Sequence, residues 1–215
     1  LTLKNRVVAA PTQSGLASHH EVTWSLKELY SARALGGAGL IMVEPGSVES
    51  FGPSPSVGIH DDQFIGGLRE VVEIVHKSGA AIGMQILHVG RQWPRGVKGM
   101  PPYLVAPSAV PWSASEQIPK ELTLSEIEEV QQKFVEAASR VKQAGFDVLE
   151  LHAAHGYLIS QFFSGLSNRR CDAYGGGLEG RTRFAVEIIR RVKESVAPDL
   201  VLSCRLNGAD NVPGG

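Results

Sequence analysis

The stretch "AGFDVLELHAAHGY", Ala144 to Tyr157, decides the fold. Gly145 closes a helical pattern, the apolar run Phe146-Asp-Val-Leu-Glu-Leu follows at once, and His152, His155 and Tyr157 stand directly behind it. A helix that hands over to a buried strand through one glycine, and a strand that ends in titratable side chains, together make a β/α unit. Units of this kind carry their chemistry at the C-terminal ends of the strands.

The same pattern recurs on either side. Apolar runs predict strands at Arg6–Ala10, Leu40–Glu44, Ala81–Leu87, Asp147–Leu151 and Leu200–Leu206, nearly continuous in hydrophobicity as strands covered on both faces should be. Between them lie amphipathic helices. Thr23–Leu35 exits through Gly36 to Gly39, Asp62–Lys77 stops at Gly79, and Arg181–Val196 places Phe184, Ile188 and Val192 inward. Thr123-Leu-Ser-Glu126 matches a capping box, after which Ile127, Val130, Phe134, Ala138 and Val141 recur at helical spacing to Gly145. Helix-to-strand connections are short, whereas long segments follow the third strand (Val89 to Leu122) and the fourth. That asymmetry predicts an α/β fold, a (β/α)8 TIM barrel present as about five N-terminal units in one domain, residues 1–215. A full barrel takes roughly 250 residues. The chain begins "LTLKNRVV" and closes on "NGADNVPGG", so it reads as a barrel truncated at the C-terminal side, with three units expected beyond Gly215. A doubly wound open sheet is the rival, but "PTQSG" after the first strand is a poor Gly-rich turn.

Lys and Arg (21) balance Asp and Glu (22), no basic block occurs, and no apolar run approaches a membrane span. Neither a nucleic-acid partner nor a membrane is therefore expected. Cys171 and Cys204 are distant and form no Cys-x-x-Cys pair, which fits a reducing, cytoplasmic setting. Homo-oligomerisation is left open.

The strand ends deliver Ala10-Pro11-Thr12-Gln13, then Glu44-Pro45-Gly46, then Gln85 with His88 and Arg91, then His152, His155 and Tyr157, and finally Arg205 followed by Asn207 and Asp210. Polar groups inside apolar strands need partners. Gln85 reads either as an amide tied to the next strand or as a ligand contact. Arg205 pairs with Glu44 or Glu150, or else meets an anionic or electron-rich ligand. His152 and His155 allow a metal site completed by His88, as in a barrel hydrolase, or ring N–H donors that polarise an oxygen.

Taken together, "NRVVAAPTQSG", "GAGLIMVEPGSV", "GMQILHVGRQ", "APSA", "AGFDVLELHAAHGYLISQFFSGLSNRRCDAYGGGLEGRTRF" and the strand ending in Arg205 resemble the old yellow enzyme family of NAD(P)H:flavin oxidoreductases. The resemblance spans the chain in order. It implies an FMN-binding barrel that takes hydride from NADH or NADPH and passes it to an electron-poor C=C bond, as an ene-reductase does on a small electrophilic alkene. By position it implies that Ala10, Pro11, Thr12 and Gln13 meet the flavin ring, with Pro45 where a small residue usually stands. Gln85 is similar to the glutamine that bonds the flavin pyrimidine, and Arg205 to the arginine near N1. His152, also counted among the flavin contacts, and His155 look like the pair holding a substrate carbonyl oxygen, and Tyr157 like the general acid.

Departures from the pattern are visible too. Gln13 stands where the family often has threonine or cysteine, and Gly15 where one branch has a substrate-contacting tyrosine. The phosphate-binding loops after strands seven and eight are expected downstream, so this chain alone would hold FMN weakly or be a non-catalytic fragment. Ser167–Arg170 and Tyr174–Gly177 read as loop-shaping segments whose arginines satisfy backbone carbonyls, and Trp24, Trp93 and Trp112 read as packing.

Overall fold

In a computed structural model, residues 1–50, 56–93, 104–113 and 116–211 are described. Five parallel strands form one sheet: β1 (Val8–Ala9), β2 (Leu40–Ser47), β3 (Ala81–Leu87), β6 (Val148–Ala153) and β7 (Val201–Leu206), in that order across it. Helices α1 (Trp24–Leu35), α2 (Ile65–Lys77), α3 (Leu124–Ala144) and α5 (Leu178–Val196) provide the crossovers. Strand order that follows chain order, with a helix at each crossover, is half of a (β/α)8 barrel.

Alternation along each strand sorts the side chains. Ile41, Val43, Ile82, Met84, Leu149 and Leu151 join the helices' inner faces in one core. Residues of the opposite parity point to the inner surface of the half-barrel. There Glu44, Gln85, Glu150, His152 and Arg205 crowd towards the strand C-termini, and Met42, Gly83 and Val148 lie below them.

The helix ends are set locally. Thr123 accepts from the Glu126 amide while the Glu126 carboxylate accepts from the Thr123 amide, so the capping box forms, and Gly145 stops α3 at φ +91°. Thr23 caps α1, and Asp61 caps a short 3-10 turn, Asp62–Phe64, that leads into α2.

Several boundaries differ from expectation. Strand β2 runs on to Ser47 because its pairing with β3 slips between Val43 and Gly46, where Glu44-Pro45 forms a bulge that tolerates a residue without an N–H. Only Val8–Ala9 of the first predicted strand pairs, and both β1 and β7 expose side chains as edges of the described sheet. Two short paired strands, β4 (Val105–Ala106) and β5 (Lys120–Glu121), lie within the long loop after β3, of which residues 94–103 fall outside the described set. A six-residue helix, α4 (Leu158–Phe163), was not expected at all. Trp24 is 73% exposed, so packing does not account for it, whereas Trp112, 45% exposed, lies against Gly156 and Arg91. The arginine-rich loop is as expected: buried Arg170 donates to the carbonyls of Pro107 and Leu122 and grips Asp172.

Candidate active site at the strand C-termini

Strand β6 delivers His152, and the turn behind it delivers two more rings. His155 and Gly156 both adopt left-handed backbone, φ +57° and +73°. That double reversal folds the chain back so that Tyr157 opens α4. As a result the His155 and Tyr157 rings both meet His152 edge-on, with centroids 4.9 and 4.8 Å away. The sequence-predicted trio is one cluster.

His152 is buried and its tautomer is fixed. The Ala154 amide donates to Nδ1 at 3.3 Å, which leaves the ring proton on Nε2. Burial, then the charges of His155 and Arg205, push its pKa down to about 3. It is therefore a neutral N–H donor at ordinary pH. Burial also raises the Tyr157 phenol, which keeps its proton.

Arg205 is the register partner of His152 across β6 and β7. Neither Glu44 nor Glu150 pairs with it, and among the described residues its guanidinium has no hydrogen bond or ion pair. Glu150 is occupied instead by Gln85, its own register partner, whose Nε2 donates to it at 2.7 Å, with Ser203 Oγ at 3.5 Å on the other oxygen. A carboxylate can only accept, so the Gln85 amide is held with its carbonyl oxygen turned elsewhere. Both readings of Gln85 are thus compatible, one for each end of the amide.

Glu44 serves the loop after β1. Its carboxylate is fully buried and accepts the Ser14 amide at 2.8 Å and the Ser14 hydroxyl, while its own amide donates to Tyr30. The other carboxylate oxygen is buried without a partner among the described residues. Ala10, Pro11 and Thr12 hang between β1 and this anchor, Thr12 donating back to Ala10 at 3.5 Å. Gln13 turns aside to Ser56, 2.7 Å away. Pro45 sits in the β2 bulge, partly covered.

His88 does not join the histidine pair. Its fully buried ring donates from Nε2 to Glu49 at 2.7 Å and accepts the Gly90 amide on Nδ1 at 3.0 Å. Burial alone would raise Glu49, but His88 and Lys133 outweigh it and hold the carboxyl at about 2. No group of three or more His, Cys, Asp or Glu side chains among the described residues is arranged to hold a metal. The alternative metal reading of His88, His152 and His155 is corrected accordingly: both ring nitrogens of His88 are spent on a structural link between β3, the loop after β2, and α3.

Three residues tie the site together: Asn207 is among the strand-end residues of the sequence, whereas Gln92 and Gln161 escaped it. Gln92 donates to the His155 carbonyl at 2.7 Å, Asn207 accepts from the His155 amide at 3.1 Å, and Gln161 bonds the Gly156 carbonyl at 2.7 Å. All three contacts are to backbone atoms, so no residue pattern reports them. Beside His155 a cavity of about 340 Å³ opens between Arg91, Trp112, Ser160, Ser164, Asn207 and Asp210. Arg91 stacks over Trp112 at 5.5 Å.

The chain matches the model of the NADH:flavin oxidoreductase / NADH oxidase family over residues 1–214. It belongs to that family. Among curated relatives it is 47% identical to an NADH oxidase of Thermoanaerobacter brockii, covering all of this chain and 34% of that protein. It is 45% identical to an NADPH dehydrogenase of Geobacillus thermodenitrificans, again over the whole chain, and covers 62% of it. The chain thus spans between about a third and somewhat under two thirds of those relatives. The fold agrees with an old yellow enzyme from Pichia sp. at a TM-score of 0.86 and 35% identity, covering 95% of this chain and 56% of that one. Morphinone reductase in complex with tetrahydroNAD gives 0.85 at 32% identity, covering 96% and 60%. As a member of this flavin oxidoreductase family, the chain carries five strands of its barrel fold.

Proposed function

We propose that the protein containing this chain is an FMN-dependent oxidoreductase that takes hydride from NADH or NADPH and delivers it to an activated C=C bond in a small molecule. The observation carrying this reading is the inner-face row at the strand ends: a free guanidinium, a neutral imidazole N–H and an oriented amide oxygen on three adjacent strands. Two relatives support a nicotinamide reductant by name, as an NADH oxidase and an NADPH dehydrogenase. A cytoplasmic setting goes with it. Among the described residues no helix is long and apolar enough to cross a membrane.

The donor set fits FMN. The edge of its pyrimidine ring offers one N–H and flanking oxygens, which match the Gln85 carbonyl oxygen and the Arg205 N–H groups. Ala10, Pro11, Thr12, Gln13 and Pro45 would wall the ring from the β1 and β2 ends. When bound, the cofactor supplies the two-electron relay between nicotinamide and alkene. Arg205 would supply a permanent cation beside the part of the cofactor that gains negative charge when reduced.

His152 Nε2–H and a ring N–H of His155 would grip the carbonyl oxygen of the alkene substrate. Both bonds strengthen as that oxygen becomes enolate-like, the condition for lowering a barrier and not merely tightening binding. Tyr157, kept protonated by burial, would hand its proton to the α-carbon.

The test is the full-length protein, purified and scanned for flavin absorbance. It should be yellow, bleach anaerobically with NADH or NADPH, and regain colour on addition of an enone. A colourless protein that reconstitution with FMN leaves colourless would overturn the reading.

A further inference from the structure

We infer that Gln161 is a positioning residue that sets the angle between the two histidine donors by locking the His155–Gly156 turn. This rests on the reading of His152 and His155 as donors to a substrate oxygen.

The turn is an unlikely one to persist unaided. A left-handed residue other than glycine costs about 1–2 kcal/mol, so His155 keeps φ +57° only because its surroundings hold it there. Gln92 and Asn207 grip the peptide on either side of His155, but Asn207 is exposed and Gln92 is only partly covered, so water competes for their bonds. Gln161 is different. At 1% exposure, its Nε2 donates to Gly156 O at 2.7 Å and to Val89 O at 3.3 Å, while Oε1 receives the Arg91 amide at 3.4 Å.

One buried amide therefore joins the loop after β3 to the turn after β6. The chain makes room for it: at Gly90, φ +64°, a Cβ would fall 2.5 Å from both Nε2 and Oε1 of Gln161. Without the bond, the Gly156 carbonyl loses its buried partner and the peptide between Gly156 and Tyr157 is held only by the Tyr157 amide, which donates to Ala154 O at 3.2 Å. The His155 ring then leaves its edge-on seat, 4.9 Å from His152. Flavin contacts on β1, β2, β3 and β7 are untouched by this change.

The experiment uses the FMN-loaded full-length protein and 4-nitrophenol, whose phenolate absorbs distinctly and mimics an enolate oxygen. Gln161→Met should bind the phenolate about 10- to 100-fold more weakly, and the pH at which bound phenol ionises should move up towards that of the free phenol. Flavin content and the rate of reduction by NADPH should not change. Gln161→Glu keeps the size of the side chain and can donate only when protonated, so its kcat/KM for an enone should recover relative to wild type as the pH falls. Unchanged phenol affinity and ionisation in Gln161→Met would overturn the inference. So would loss of flavin or of solubility in both variants, because the amide would then support the fold at large. The underlying reading fails separately: if the His152→Ala, His155→Ala double variant binds 4-nitrophenol as tightly as wild type, the histidines are not donors.

Discussion

His152 and Arg205 are register partners on neighbouring parallel strands, so a neutral N–H donor and a permanent cation stand roughly 4.8 Å apart in strand spacing on one face. The cation helps to keep the imidazole unprotonated. The imidazole, in turn, gives the guanidinium no bond. This leaves a charge on the inner face with nothing in the described chain to answer it.

That imbalance predicts a trade between stability and ligand binding. Arg205→Leu should leave the urea midpoint of the flavin-free protein unchanged or slightly higher, and weaken FMN binding by about tenfold or more, in line with loss of a charge-assisted contact worth ~1.5–3 kcal/mol. Equilibrium unfolding together with flavin fluorescence titration checks both halves. A marked drop in stability would mean that Arg205 belongs to a structural pair.

The His152 pKa of about 3, against 6.5 for a free histidine, fixes the sign of an acid dependence. Between those values the unfolded chain binds more protons than the folded one, so stability falls as pH falls below about 6.5 and gains nothing from this group above it. Glu49, held at about 2 against 4.5, adds a second loss below pH 4.5. His60, also lowered chiefly by burial, acts with the same sign as His152. Thermal unfolding of the flavin-free protein across pH 3–7 should show His152→Asn with a shallower slope from 6.5 down to about 3, the loss due to Glu49 below 4.5 remaining. An identical slope in the variant would contradict a neutral, buried His152.

Gly156 carries two constraints that can be separated. An added Cβ would lie 2.5 Å from the Trp112 ring and 2.6 Å from Gln92 Nε2, and φ is +73°. Gly156→Ala should cost about 2–3 kcal/mol, of which ~1 kcal/mol is backbone strain. In the Trp112→Ala background the steric part should largely vanish while the strain remains. Additive costs in the double variant, read from urea unfolding, would show that Trp112 is not what the methyl meets.

The Ser14–Glu44 contact can be tested alone. Ser14→Ala deletes the hydroxyl bond to a carboxylate that is wholly buried and already short of one partner, which should destabilise the protein by about 1–3 kcal/mol. Glu44→Gln in the Ser14→Ala background should recover part of the loss, since a neutral amide is cheaper to bury than a carboxylate. No recovery would point away from desolvation as the cause.

Much of this was legible in the residues, and the reasons are local. The capping box at Thr123 and the stop at Gly145 follow from side-chain-to-backbone rules within four residues, and β3 is bounded by turn residues on both sides. What failed depended on neighbours. The slip in β2 needs β3 beside it, and Pro45 alone suggested an end where there is a bulge. Helix α4 has no side-chain cap and only six residues, too few for a periodic signal. In the site, the histidine–tyrosine cluster lies within one short segment and was visible. The Gln85–Glu150 bond depends on which residues face each other across strands, and the place of His88 depends on Glu49, which reaches it from another element and is itself held by Lys133.

The turn at His155 also has a kinetic consequence. Two of its tethers close loops of 52 and 63 residues, through Asn207 and Gln92. Contacts of such sequence separation form only after the strands between them have docked, and surface loops open before the strands that carry them when a native protein fluctuates. The donor pair is thus assembled late and released early. Amide exchange at His155 and Tyr157 should run well ahead of exchange in β3 and β6, so that the site comes apart while the sheet beneath it is still folded.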